Sequence, residues 1–144
     1  MTAQTIAIAS DHGGFSLKTG LVDHLRGAGF DLVDLGVDGS DSVDYPDYAC
    51  ALADLLAGGR VQFGILLCGT GIGISIAANR YRHVRAALVH DALGARLARQ
   101  HNDANVIVFG GRVLGIDLAK DCLDIFLATD FSGGRHTRRV QKMS

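Results

Sequence analysis

The chain has 144 residues, a net charge of −1, three cysteines and a 48% hydrophobic content. That length suits one domain, spanning 1–144, which buries about two-thirds of its unfolded surface without disulfide staples. The charge balance excludes a broad nucleic-acid-binding face, and no apolar run approaches the roughly 18 residues of a membrane span.

Strand-like and helix-like runs alternate from the start. Ile6–Ala9 is short and apolar and ends at Ser10-Asp11-His12-Gly13-Gly14. Phe15, Leu17, Leu21, Val22 and Leu25 then recur at helical spacing, with Gly27 and Gly29 at the C-terminal end. Asp31–Leu35 alternates as a strand, a polar loop runs through Asp44, and Pro46 opens a helix reaching about Leu56. Phe63–Leu67 is the third strand. A glycine-rich turn follows it, then a helix to about Asn79. Val84–Val89 is the fourth strand, Ala92–Ala98 a helix, Val106–Phe109 the fifth strand, and Asp117–Leu127 a further helix. A last basic helix covers the C-terminus.

Five βα repeats with short loops predict a parallel sheet covered by helices on both faces. The near-continuous apolar strands agree, since both of their faces are buried in such a sheet. Ligands of open α/β sheets bind beyond the C-terminal strand ends. The polar residues there are Asp11 and His12, Cys68 to Gly73, His90 and Asp91, and Arg112.

Cys68-Gly69-Thr70-Gly71-Ile72-Gly73 is the most informative of these segments. Its backbone N–H groups attract negative charge, whether of a bound anion or of a thiolate. The loop fails the dinucleotide fingerprint, which needs glycine at Ile74 or Ile76, and lacks the lysine of a Walker loop. An arginine six residues after the cysteine, as a phosphatase-like loop requires, is replaced by Ile74. A cysteine beside backbone donors remains, a combination suited to chemistry passing through an oxyanion. Cys50 and Cys122 read as buried core residues. No CxxC or Cys/His ligand spacing appears, so neither a metal nor another cofactor is expected. Reduced thiols and the lack of a signal-peptide pattern point to the cytoplasm. His101 falls toward the non-catalytic end of the sheet and reads locally as a histidine at a helix C-terminus. His24 and His83 read as surface residues. The basic cluster from Arg135 to Arg139 reads as a solvated tail or an anion-binding arm.

Taken in order, Asp11-His12-Gly13-Gly14, Asp44-Tyr45-Pro46, Cys68 through Asn79, Arg99 through Asp103, Gly110-Gly111-Arg112 and Gly134-Arg135-His136 resemble the type B ribose-5-phosphate isomerases of the ribose/galactose isomerase family. The resemblance runs from about Ile6 to Val140. It implies a three-layer α/β/α sandwich around a five-stranded, Rossmann-like parallel sheet. It implies a homodimer, open to pairing into tetramers, with each site completed by the partner and residues 134–144 reaching across. Cys68 is then the base moving a proton between C1 and C2 of the open-chain sugar. Gly69, Gly71, Ile72 and Gly73, through their N–H groups, and Thr70 stabilise the enediolate oxygen. His101, with Asp11, opens the furanose ring, and Asn102 contacts sugar hydroxyls. His12, Arg112, Arg135 and Arg139 hold the phosphate, and Tyr45 walls the pocket. Family members without this cysteine place a glutamate where Ile74 stands, so the chain resembles the cysteine-base group. The alternatives are isomerisation of allose 6-phosphate, galactose 6-phosphate or a tetrose phosphate, and a phospho-sugar-binding protein without turnover. A nucleotide-binding module is disfavoured by the failed fingerprints.

Overall fold

The computed structural model describes residues 4–144. One sheet contains β1 (Thr5–Ser10), β2 (Asp31–Asp34), β3 (Phe63–Cys68), β4 (Ala86–Leu88) and β5 (Val106–Gly110). The helices are α1 (Phe15–Gly27), α2 (Tyr45–Ala57), α3 (Ile72–Ala78), α4 (Ala92–Asn102), α5 (Ile116–Ala128) and α6 (Arg135–Met143). All strand pairs are parallel, in the order β2-β1-β3-β5-β4. Among the described residues no helix is long and apolar enough to cross a membrane.

The alternation of strand side chains sorts the core into two halves. Ile6 and Ile8 of β1, Ile65 and Leu67 of β3, and Ile107 and Phe109 of β5 face α1, α4 and α5. Ala7 and Ala9, Leu66 and Cys68, and Val106 and Val108 face α2 and α3. The expected three layers are therefore present, and the sulfur of Cys68 lies on the α2/α3 side. Beyond the first residues of β1 and β3 the central strands are buried, so burial of each large side chain there stabilises the fold by about 1.5–3 kcal/mol.

Several element ends shift by a residue or two from the sequence reading, and the fourth strand and helix α4 change most in length. The fourth strand shrinks to Ala86–Leu88, and the N–H groups of the two residues before it are taken elsewhere: Val84 N–H donates to the Tyr81 carbonyl in a turn and Arg85 N–H to Asn105 Oδ1. Helix α4 continues to Asn102, with Asp103 closing it in the left-handed conformation at φ 47°. His101 thus sits in the last helical turn, in keeping with its reading as a histidine at a helix C-terminus.

Candidate active site

The order in which strands are added reverses between β1 and β3, and the crevice beyond these strand ends is where such folds bind ligands. Ladder bonds continue past the strands and stitch three loops together there. Asp11 N–H donates to Leu67 C=O, Gly111 N–H to Cys68 C=O, and Arg112 N–H to Gly69 C=O, at 3.2, 2.8 and 2.9 Å. The result is an open cleft of about 410 Å³. Asp11, Cys68, Gly69, Thr70 and Gly73 line it, with Tyr45, Ile72 and Arg112 on its walls.

Cys68 is 5% exposed at the floor of this cleft, and Gly71 N–H donates to its Sγ at 3.1 Å. Helix α3 has only seven residues, so this single aimed amide, more than a long helix dipole, is what the sulfur feels. Gly71 has a φ of 79°, which turns its N–H back toward the thiol. Thr70 Oγ1 accepts the Ile72 N–H at 3.2 Å and steadies the loop. The Tyr45 ring lies against Gly73, where an added Cβ would stand 2.6 Å from Cζ. The Arg112 guanidinium packs over Gly69, its Cζ 3.4 Å from where an added Cβ would stand.

Asp11 is buried, and its Oδ1 accepts the Gly13 and Gly14 N–H groups at 2.9 and 3.2 Å. That oxygen shapes the turn into α1 as well as facing the cleft. His12 Nδ1 accepts the Val43 N–H at 3.2 Å. A neutral His12 bonded this way carries its proton on Nε2 and can donate to an anion.

The remaining residues expected in the site lie elsewhere in the same chain. His101 and Asn102 end α4, which precedes the N-terminal edge of β5, whereas Cys68 ends β3 at the opposite edge. A five-residue strand separates these edges by roughly 17 Å. The His101 ring stacks on His136 of α6, with centroids 4.2 Å apart and planes 12° apart. Arg135 and Arg139 belong to that exposed, basic helix. His136 is held below the usual histidine range, first by partial desolvation, then by the like charges of His101, Arg135 and Arg139. Sequence reasoning had given His136 no role; its signal was the basic cluster around it.

His90 is exposed, and Asp91 caps α4 by accepting the Gly94 N–H at 2.6 Å. His24 bonds Asp124 on α5, and His83 reaches the Ala53 carbonyl, both at 2.7 Å, so each tethers neighbouring elements. Cys122 is a core residue whose thiol is pushed up by burial first and then by Asp121 and Asp91. Cys50 departs from expectation: it is only half-buried, because α2 turns that side toward Tyr81 rather than the sheet. Among the described residues no three His, Cys, Asp or Glu side chains are gathered as a metal ion would require.

A family model described as Ribose/Galactose Isomerase matches residues 6–143. The chain is 48% identical over 139 residues to ribose-5-phosphate isomerase B of Escherichia coli, covering 96% of this chain and 93% of that one. It is 41% identical over 140 residues to D-erythrulose-4-phosphate isomerase of Pectobacterium atrosepticum, covering 96% and 92%. A crystal structure of ribose 5-phosphate isomerase from Thermotoga maritima superposes with a TM-score of 0.97 at 51% identity, covering 99% of this chain and 98% of that one.

Proposed function

The chain belongs to the ribose/galactose isomerase family, and from that premise we propose that it interconverts D-ribose 5-phosphate and D-ribulose 5-phosphate. It is an aldose–ketose isomerase. The observation that carries the chemical reading is the Gly71 N–H aimed at Cys68 Sγ on the floor of an arginine-walled cleft.

The thiolate of Cys68 takes the proton from C2 of the open-chain aldose. The C–H electrons form a C1–C2 double bond and place negative charge on O1. Amides of the Gly69–Gly73 loop, with the Thr70 hydroxyl, hold that oxyanion. One well-placed donor of this kind contributes about 3 kcal/mol to the barrier reduction. The O2 proton passes to O1 and the thiol returns its proton to C1, which yields the ketose. His12, on the loop after β1, and Arg112, on the loop after β5, bind the phosphate, and Tyr45 closes the side. Arginine suits this task because its planar fork pairs two phosphate oxygens at once. Three unpaired cysteines suit a reducing cytoplasm.

Turnover of four-, five- and six-carbon aldose phosphates, measured with a chelator present, tests this function. Preference for ribose 5-phosphate supports it. Preference for a tetrose phosphate supports the second reading, which the similarity to an erythrulose-phosphate isomerase favours. No turnover of any sugar removes the isomerase assignment for this chain.

The separation of His101 from Cys68 within one chain supports a homodimer. In it, the α4 end and residues 134–144 of one copy complete the cleft of the other, bringing His101, Asn102, Arg135 and Arg139 to the sugar. Exposed Ile72 and Ile76 beside the cleft, 53% and 55% accessible, give that contact apolar surface to bury. Cys68→Ala and His101→Asn chains are each expected to be inactive alone. After co-refolding, half of the dimers are mixed and carry one intact site, so activity returns to about a quarter of the native level. No recovery would show that both residues serve the same chain's site.

A further inference from the structure

The last turn of α4 is held by a network of charged side chains whose cost needs a reason. Arg99 is 7% exposed, and a buried guanidinium is tolerated only when its donors are matched. Its Nε donates to the Thr129 carbonyl at 3.1 Å, and one terminal nitrogen to Asp103 Oδ1 at 2.9 Å and the Ala104 carbonyl at 2.7 Å. The guanidinium also lies over the Phe63 and Phe126 rings, 4.9 and 5.7 Å from their centroids. Arg85, just before β4, also holds Asp103. Its Nε donates to the Asp103 carbonyl at 2.8 Å and its terminal nitrogen approaches Asp103 Oδ2 at 3.5 Å. Ser132 N–H donates to the Gln100 carbonyl at 3.0 Å, which ties the approach to α6 to the same turn.

Every anchor of this network falls on residues flanking His101 and Asn102, and none bonds those two side chains. The His101 ring remains half-buried on His136, and Asn102 is exposed. A left-handed Asp103, unfavourable for a residue with a side chain, is stabilised by the two arginines. We propose that Arg99, Asp103 and Arg85 are positioning residues that fix the angle at which His101 is presented for opening the sugar ring. This rests on the ring-opening role of His101 in the reading above.

The chemistry separates ring opening from isomerisation. A ribofuranose closes through O4, and the enzyme must open it before the C2 proton becomes acidic. Ribulose 5-phosphate has O5 phosphorylated and cannot form a furanose, so it is open-chain. Entry of solvent deuterium at its C1 therefore reads enediolate formation alone. A residue that positions His101 affects turnover of ribose 5-phosphate and leaves that exchange in place. A residue that only supports the fold affects both.

Asp103→Asn keeps the size and left-handed tolerance of the site and removes the charge. Arg99→Lys keeps the charge and loses the fork. Each is measured beside the native protein and His101→Asn, with thermal melts to verify folding. We expect kcat on ribose 5-phosphate to fall on the order of 10- to 100-fold, the scale of a small misplacement of a reacting group. Deuterium exchange at C1 should stay within about twofold of native. Equal losses in both assays, or no loss in either, would overturn the proposal. If His101→Asn itself slows both assays equally, the ring-opening role of His101 fails and the proposal with it. Loss of all native activity on either sugar would instead refute the isomerase function.

Discussion

Replacing Cys68 with alanine is expected to lower ribose 5-phosphate turnover by about 10³- to 10⁴-fold, the range general acid–base catalysis contributes, while sugar-phosphate binding survives. The side chain removed is a thiol on the cleft floor, able to cycle a proton between adjacent carbons, and Gly71 N–H points at its sulfur. The phosphate-binding groups proposed on this chain, His12 and Arg112, sit on other loops, after β1 and β5. Binding should therefore remain visible as a rise in melting temperature on adding ribose 5-phosphate, because a ligand that binds only the folded state stabilises it. Cys68→Ser should behave alike, since a hydroxyl is far less acidic than a thiol. Turnover within about tenfold of native in the alanine variant would remove Cys68 from the base role. Loss of the melting shift together with turnover would mean that the cysteine organises the cleft.

Gly71→Ala is expected to destabilise the fold by roughly 2–5 kcal/mol, combining left-handed backbone strain with overpacking, and to lower kcat at least 100-fold. The φ of 79° already disfavours a side chain. A Cβ there would also stand 2.5 Å from Leu88 Cδ1, 3.0 Å from the Phe109 carbonyl carbon and 3.1 Å from the Gly110 nitrogen. The leucine could rotate, but the β5 backbone could not move without disturbing its pairing with β3 at Cys68 and Gly110. Relief would come from retreat of the loop, which carries the Gly71 N–H away from the sulfur. Denaturant unfolding measures the first effect and steady-state kinetics the second. Gly27→Ala is the control: it lies at the end of α1 with open space around the added methyl, and about 0.5–1 kcal/mol of stabilisation is expected from reduced chain entropy. A Gly71→Ala protein as stable and active as the native one would refute the account of the loop.

Much of the cleft was legible because its parts follow strands in the sequence. An apolar run ending in Cys68 and a glycine-rich turn identify a strand and the loop above it. Asp11, His12 and Arg112 occupy equivalent positions after β1 and β5, and parallel strands bring equivalent ends together. The half of the site around His101 was not legible from local pattern. Its position in the chain marks the wrong edge of the sheet, and resemblance to a family supplied its role. His136, stacked on it, was missed because the two residues are 35 positions apart and no periodicity connects them.

The sequence by itself determined the order of elements, the parallel sheet and the two-sided core, since hydrophobic spacing and glycine positions act locally. It also determined that a thiol and a glycine-rich loop stand where such sheets bind ligands. Tertiary structure decided what depends on partners distant in the chain. It buries Lys18 at 2% exposure against Asp34, with Nζ 2.7 and 2.9 Å from the two carboxylate oxygens. It buries Arg99 among Thr129, Ala104 and two phenylalanine rings, extends α4 through His101, and cuts β4 to three residues beside Asn79. A charged residue in a helix reads as solvated until a counter-charge and carbonyls from other elements close around it, and those groups meet only when the layers pack.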